Sequence, residues 1–124
     1  MITKDPEILL PLLNDPEINP GLMDGVEATQ EFINLPDAIF YVFEDMVFPV
    51  RTKNGCAVIH AGVKKCKRGK IAVQACKSVI DDLKKDYKVL TTIRIDRKPV
   101  RSIASILFNF VEYKDDLAIY EAKP

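Results

Sequence analysis

Apolar and polar positions along the chain follow two rhythms, and the change comes near residue 38. Upstream, Ile8, Leu9, Leu12 and Leu13 recur at helical spacing behind Asp5-Pro6-Glu7. That triplet reads as an N-cap, a proline at the first helical position and a first-turn acid. Pro11 conflicts with an unbroken helix there, because proline removes a backbone donor and its ring crowds the carbonyl one turn back. A second helix is predicted over about Val26–Asn34, where Val26, Ala28, Phe32 and Ile33 supply an apolar side. Pro6, Pro11, Pro16, Pro20 and Pro36 all fall in this region, which therefore reads as short helices joined by turns.

From Ala38 the pattern becomes β-branched and aromatic. Ala38–Phe43 and Met46–Val50 are separated by the acidic pair Glu44-Asp45, and Asn54-Gly55 divides Val47–Thr52 from Cys56–Val63. Asn-Gly between apolar runs is a strong hairpin signal, so three consecutive antiparallel strands are predicted, with Pro49 pushing its strand toward an edge or a bulge. A basic stretch, Lys64-Lys65-Cys66-Lys67-Arg68-Gly69-Lys70, leads into Ile71–Tyr87, where Ala72, Val73, Cys76, Val79, Ile80 and Leu83 follow helical spacing. Val89–Ile95 alternates as a strand. Asp96-Arg97-Lys98-Pro99 caps a helix, and strands near Phe110–Tyr113 and Leu117–Glu121 turn at Lys114-Asp115-Asp116. The expected class is α+β: one domain over residues 1–124, with a mostly antiparallel mixed sheet flanked by helices and the helical segment 1–36 packed on it.

Composition narrows the function classes. The chain has 124 residues, 48% of them hydrophobic, with 18 basic and 18 acidic side chains. That suits a globular domain, and no run approaches the ~18–20 apolar residues of a membrane span. Met1-Ile2-Thr3-Lys4-Asp5 lacks the charged-then-apolar texture of a secretion leader. The zero net charge conceals an asymmetry: residues 1–50 carry ten acids and one base, and residues 51–124 carry seventeen bases and eight acids. A basic half implies an anionic ligand or partner, or an acidic surface elsewhere in the chain for it to lie against. Cys56, Cys66 and Cys76, an odd number with no close pair, read as reduced thiols, and with a single histidine no metal site is expected. The basic loop has no interleaved aromatic residues, so sequence-specific nucleic-acid binding is not expected.

The strand, the basic glycine-containing loop and the helix start form the one constellation with a chemical reading. Free N–H groups and the positive end of the helix dipole suit phosphate, and Lys64, Lys65, Lys67, Arg68 and Lys70 crowd that mouth. The competing reading is a solvated basic loop before an ordinary helix. The element order resembles the GNAT superfamily of acetyl-coenzyme-A-dependent N-acetyltransferases from about Ile39 to Tyr120. The family's Arg/Gln-x-x-Gly-x-Gly/Ala pyrophosphate loop looks like Lys67-Arg68-Gly69-Lys70-Ile71-Ala72, with Lys70 at the central glycine position. Its later Asn-x-x-Ala/Ser…Gly-Phe region looks like Lys98-Pro99-Val100-Arg101…Asn109-Phe110, with Ser105 where a tyrosine acid often stands. The resemblance implies a GNAT-like fold and acetyl-coenzyme A contacts at Gly62, Val63, Lys67, Arg68, Gly69, Lys70 and Ala72. Gly62 and Val63 would offer backbone groups to the pantetheine arm.

N-acetylation requires a base for the acceptor amine and an acid for the leaving thiolate. His60 is the one obvious base, against the alternative of a strand histidine satisfied locally. Tyr41 and Tyr113 are candidate proton donors that also suit amphipathic sheet positions. The octet Arg68–Ala75 resembles short acetyltransferase-like proteins encoded by tailed bacteriophages, some of them associated with virions. That resemblance, with Lys70 and Ser105, gives the sequence-level expectation of an incomplete catalytic apparatus. It implies a virion, head–tail assembly or genome-delivery component acting through protein contacts in the host cytoplasm or the particle. Other phage proteins, or further copies of the chain, would be the partners. The runner-up is an active acetyl-coenzyme-A-dependent N-acetyltransferase.

Overall fold

The computed structural model describes all residues from Met1 to Pro124. Three short helices come first: α1 (Pro6–Leu13), α2 (Asn19–Leu22) and α3 (Gln30–Ile33). Then follow β1 (Ala38–Phe43), β2 (Met46–Lys53), β3 (Cys56–Ile59), β4 (Gly62–Val63), a 3-10 turn at Lys65–Lys67 and α4 (Lys70–Leu83). The chain ends with β5 (Lys88–Arg94), α5 (Lys98–Ala104), β6 (Phe108–Lys114) and β7 (Leu117–Ala122). The sheet order is β1-β2-β3-β5-β7-β6, with β4 also paired to β2. Every pairing is antiparallel except β3 with β5, and the architecture is the mostly antiparallel α+β one expected.

Two cores form on opposite faces. Leu9, Leu13 and Ile33 from the N-terminal helices pack on Phe40, Val42 and Val47. On the other face Val79, Ile80 and Leu83 of α4 meet Phe48, Val50, Ile59 and Val89. β1 and β2 are buried on both sides and read as near-continuous apolar runs. β7, covered on one side, alternates half-buried and buried positions along its length.

Local chemistry explains most boundaries. Asp5 accepts the Glu7 N–H to cap α1, and Thr29 accepts the Phe32 N–H to cap α3. Asn54 and Gly55, with φ of 51° and 79°, make the tight hairpin turn predicted from their sequence. Three expectations need correction. α1 runs through Pro11, whose missing donor leaves only the exposed Glu7 carbonyl without its helical partner. The predicted helix over Val26–Asn34 shrinks to Gln30–Ile33, because the Thr29 cap starts it late, and a separate turn of helix forms at Asn19–Leu22. β2, which carries Pro49, lies inside the sheet rather than at its edge.

Pro49 is tolerated because of where its lost donor falls. β3 and β4 keep one register against β2, from Lys53 opposite Cys56 to Met46 opposite Val63, which sets Pro49 opposite His60. His60 donates its N–H to the Pro49 carbonyl at 3.0 Å, and Pro49 has no N–H to return. On the other side β3 pairs with β5 only over Cys56–Val58. At the next step the Thr91 hydroxyl donates to the Ile59 carbonyl at 2.7 Å, ending the ladder with a side chain. Beyond it β4 stays with β2 while β5 follows β7, so the two strands part and leave a wedge.

Two substitutions test this frame. A Cβ on Gly62 would lie 2.6 Å from Ile18 Cγ2 and 2.9 Å from Leu22 Cδ2. Gly62→Ala is therefore expected to cost about 1–3 kcal/mol in urea denaturation. Thr91→Val strands the buried Ile59 carbonyl and is expected to cost roughly 1–3 kcal/mol by the same measurement.

Candidate functional site

The wedge between β4 and β5 is the place where backbone groups are left without partners. Residues along β3–β4 alternate in the direction of their N–H and C=O. His60 turns its groups to β2, so Ala61 and Val63 turn theirs toward the wedge. Neither the N–H nor the C=O of Ala61 takes part in a backbone hydrogen bond, and the residue is exposed. The Val63 carbonyl accepts from Arg68 Nε at 3.2 Å. On the α4 face Val63 of β4 and Ile93 and Ile95 of the β5 arm are half-buried and pack against the core, as do Ala72 and Ala104. The free Ala61 peptide thus faces the parting of β4 from β5, with apolar side chains on the α4 face of both arms.

The mouth of the wedge is the start of α4. Gly69 is its N-cap, with φ 98° and ψ −136°, and no side chain caps the helix. A side-chain-bearing residue rarely adopts that φ, so the glycine is needed here. Lys70 is the first residue of the helix and does not occupy a positive-φ position. A lysine at the motif's central position is therefore compatible with the backbone, because the left-handed residue is the one before it. A Cβ at Gly69 would meet nothing within 4 Å, so the space beside this peptide is open for an anion approaching the first-turn amides.

The basic side chains at the mouth are not equivalent. Lys64 is half-buried and lies 3.5 Å from Asp15 and 3.4 Å from Asp45, and its hydrogen bond to Asp45 raises its pKa. Arg68 gives its Nη2 to the Glu17 carbonyl at 3.1 Å, and the Lys65 N–H donates to Glu17 Oε1 at 2.7 Å. Lys65, Lys67, Arg68 and Lys70 form no ion pair, Arg68 meeting only neutral carbonyls, so their charges are available to a phosphate. Ala72 faces the core side of α4, below the mouth.

His60 shares a sheet face with Pro49 and Gly62, toward α1–α3 and opposite the α4 core that holds Ile59. Burial lowers its pKa below the ordinary 6.5, and no acidic neighbour counteracts this. It is a neutral imidazole at pH 7 with no side-chain hydrogen bond inside the protein, the state a proton acceptor needs.

The other candidates lie elsewhere. The Tyr41 hydroxyl donates to Asp82 at 2.6 Å from the far side of β2; burial, with this bond behind it, raises its pKa, and the bond ties β1 to α4. Tyr113, on the β6 edge strand, accepts from Arg101 Nη2 at 2.8 Å. Ser105 donates to the Ser102 carbonyl at 2.6 Å. Cys76 is a half-buried thiol pushed up to about 11 by burial, and no thiol is bonded to His60. No group of three His, Cys, Asp or Glu side chains could hold a metal ion, and no helix is long and apolar enough to cross a membrane. Sequence reasoning missed Ala61 and Thr91. Ala61 carries no side-chain signal at all, and Thr91 was read only as part of an alternating strand.

No protein-family model matches the sequence, and neither does any curated protein. The fold has counterparts among solved structures. It aligns with an N-acetyltransferase from Staphylococcus aureus Mu50 at a TM-score of 0.65 and 21% identity, covering 98% of this chain and 96% of that one. It aligns with PH1933 from Pyrococcus horikoshii OT3 at 0.61 and 11% identity, covering 100% and 98% respectively. At these identities the likeness is one of fold, and the fold is the GNAT-like one.

Proposed function

We propose that the chain binds an acyl-coenzyme A thioester, most simply acetyl-coenzyme A, and transfers its acyl group to an amine. The observation that carries this reading is the wedge: a free Ala61 peptide and apolar walls lead to the open amides of Gly69-Lys70-Ile71. A ligand suited to it has an amide-bearing, otherwise apolar arm and a polyanionic head. In this reading Ala61 and Val63 hold the arm through backbone groups, and Gly62 packs beneath α2. Lys67, Arg68 and Lys70 neutralise the pyrophosphate at the helix start, while Ala72 leaves room behind it.

The coenzyme supplies an activated acyl group, and the residues of this chain supply position and proton transfer. His60 stands on the sheet face opposite α4, so a coenzyme entering beside α4 and an amine entering beside α2 meet at the wedge from two sides. There the neutral imidazole accepts the amine proton as nitrogen attacks the thioester carbonyl, the C–S bond breaks, and the coenzyme leaves as a thiol with the proton that the amine gave up. The GNAT-like likeness to a protein named N-acetyltransferase is in keeping with this activity. The assembly reading drew on the opposed charges of the two halves. Five of the eight ion pairs join an acid from residues 1–50 to a base from residues 51–124, so much of that opposition is spent inside the chain. A particle component encoded by a phage remains a reading of the Arg68–Ala75 octet alone.

Calorimetric titration with acetyl-coenzyme A tests the proposal. Binding is expected in wild type, with at least about tenfold weakening in Arg68→Ala and in Gly69→Val. The first loses charge and the second loses both the left-handed residue and the open approach. No heat with about millimolar coenzyme overturns the proposal. For turnover, His60 must be neutral, so activity is retained as pH falls to 6.5 and is lost only below it. His60→Gln is expected to lower kcat by about 10²–10⁴-fold and abolish that acid limb while coenzyme affinity is kept. The same depressed pKa makes the folded state lose stability as pH drops through and below 6.5, since the unfolded chain takes up the proton first.

A further inference from the structure

We infer that two copies of this chain associate through β6 and α5, with their β6 strands antiparallel across a two-fold axis. The two edges of the sheet are treated differently. At the β1 edge the N-terminus is laid alongside: Thr3 donates its N–H to the Phe40 carbonyl, Val42 donates to the Met1 carbonyl, and Ile2 bridges Tyr41. β6, the opposite edge, has no strand on its outer side. It contains no proline, its charges are one glutamate and one lysine, and its one interruption is a bulge at Val111.

The same edge holds the chain's largest concentration of exposed apolar side chains. Of ten large hydrophobic residues exposed to solvent, six lie between residues 100 and 113. Ile103 is 60% exposed, Ile106 54%, Phe110 46% and Tyr113 57%. Val100 and Ile103 are one helical turn apart on α5, and Arg101 ties α5 to β6 through the Tyr113 hydroxyl. Helix and strand therefore present one surface, with the aromatic and aliphatic make-up of an interface core.

A second copy is the occupant because the edge is complementary to itself in one register. Val111 is a bulge: Phe110 pairs with Tyr120 and Glu112 with Ile119. Phe110 and Tyr113 consequently share the α5 face, 4.7 Å apart between ring centroids, although their spacing is odd. An antiparallel pair must place same-face residues opposite each other. Setting Phe110 opposite the partner's Tyr113 does this twice, by symmetry, and joins four rings on the α5 side. The same register puts Lys114 opposite the partner's Asn109 and Glu112 opposite the partner's Val111. A shift of one residue in one direction sets Glu112 against itself, and in the other it sets Phe110 against Glu112, which lies on the opposite face. The isologous arrangement is closed, so association stops at two.

Sedimentation and light scattering over roughly 1–100 μM protein test the inference. The expected mass is twice the 14.0 kDa of one chain. Phe110→Lys is expected to raise the dissociation constant at least about tenfold. Because Phe110 also touches Tyr120, Val111→Glu, which sets like charges opposite the partner's Glu112, and Ile103→Lys serve as second variants, exposed in the monomer and expected to keep its circular dichroism while giving single chains. A wild type that stays at 14.0 kDa throughout overturns the inference, and so does a dimer that persists in folded Val111→Glu and Ile103→Lys. Coenzyme titration is independent of either result.

Discussion

The parting of β5 from β4 is the constraint on which the rest of the molecule is arranged. β2 holds Cys56–Val63 in one register along its whole length, while β5 shares only three residues with that strand before following β7. One side chain makes the parting tolerable: Thr91 satisfies the first carbonyl that would otherwise lose its partner. A parallel pair that continued would leave no room for anything between α4 and α5. Parted, it exposes a peptide group beside an apolar wall and points it toward the start of a helix.

The charge asymmetry finds its explanation in the same place. The acidic N-terminal segment crosses the open end of the sheet and contacts both arms. Glu17 meets Lys65 and Arg68 near β4, and Asp24 lies 3.2 Å from Arg94 and 3.4 Å from Arg97 beyond β5. Arg97 also reaches the Gly21 carbonyl at 2.9 Å. Such exposed pairs contribute little energy individually. Their value lies in orientation, because α2 is too short to set its own position and rests on Gly62 through Ile18 and Leu22. Lys65, Lys67, Arg68 and Lys70 at the mouth of α4 are among the bases that take part in no ion pair.

Burial acts on His60 in the same economical way. The imidazole needs no partner to stay neutral: removal from water lowers its pKa and suffices. Tyr41 carries the opposite lesson. Its hydroxyl is attractive on paper, yet β2 stands between it and His60, and the bond to Asp82 commits it to holding α4 on the sheet. Proximity in the chain order of strands does not make two groups neighbours when they point to opposite faces.

Periodicity and turn chemistry by themselves determined the order of elements from Ala38 onward, since doubly buried strands, Asn54-Gly55 and the amphipathic α4 each carry a local signature. They also determined the basic mouth at Lys64–Lys70. The N-terminal helices were less legible. Pro11 is harmless only because the Glu7 carbonyl faces solvent, and Thr29 rather than the apolar spacing decides where α3 begins. Which groups face the wedge was a tertiary decision. Ala61 became the free peptide because β5 leaves beside it, and Lys70 was relieved of a glycine's task because Gly69 already turns the chain. Both outcomes depend on strands and helices far apart in sequence coming to one edge, information that no local pattern of residues contains.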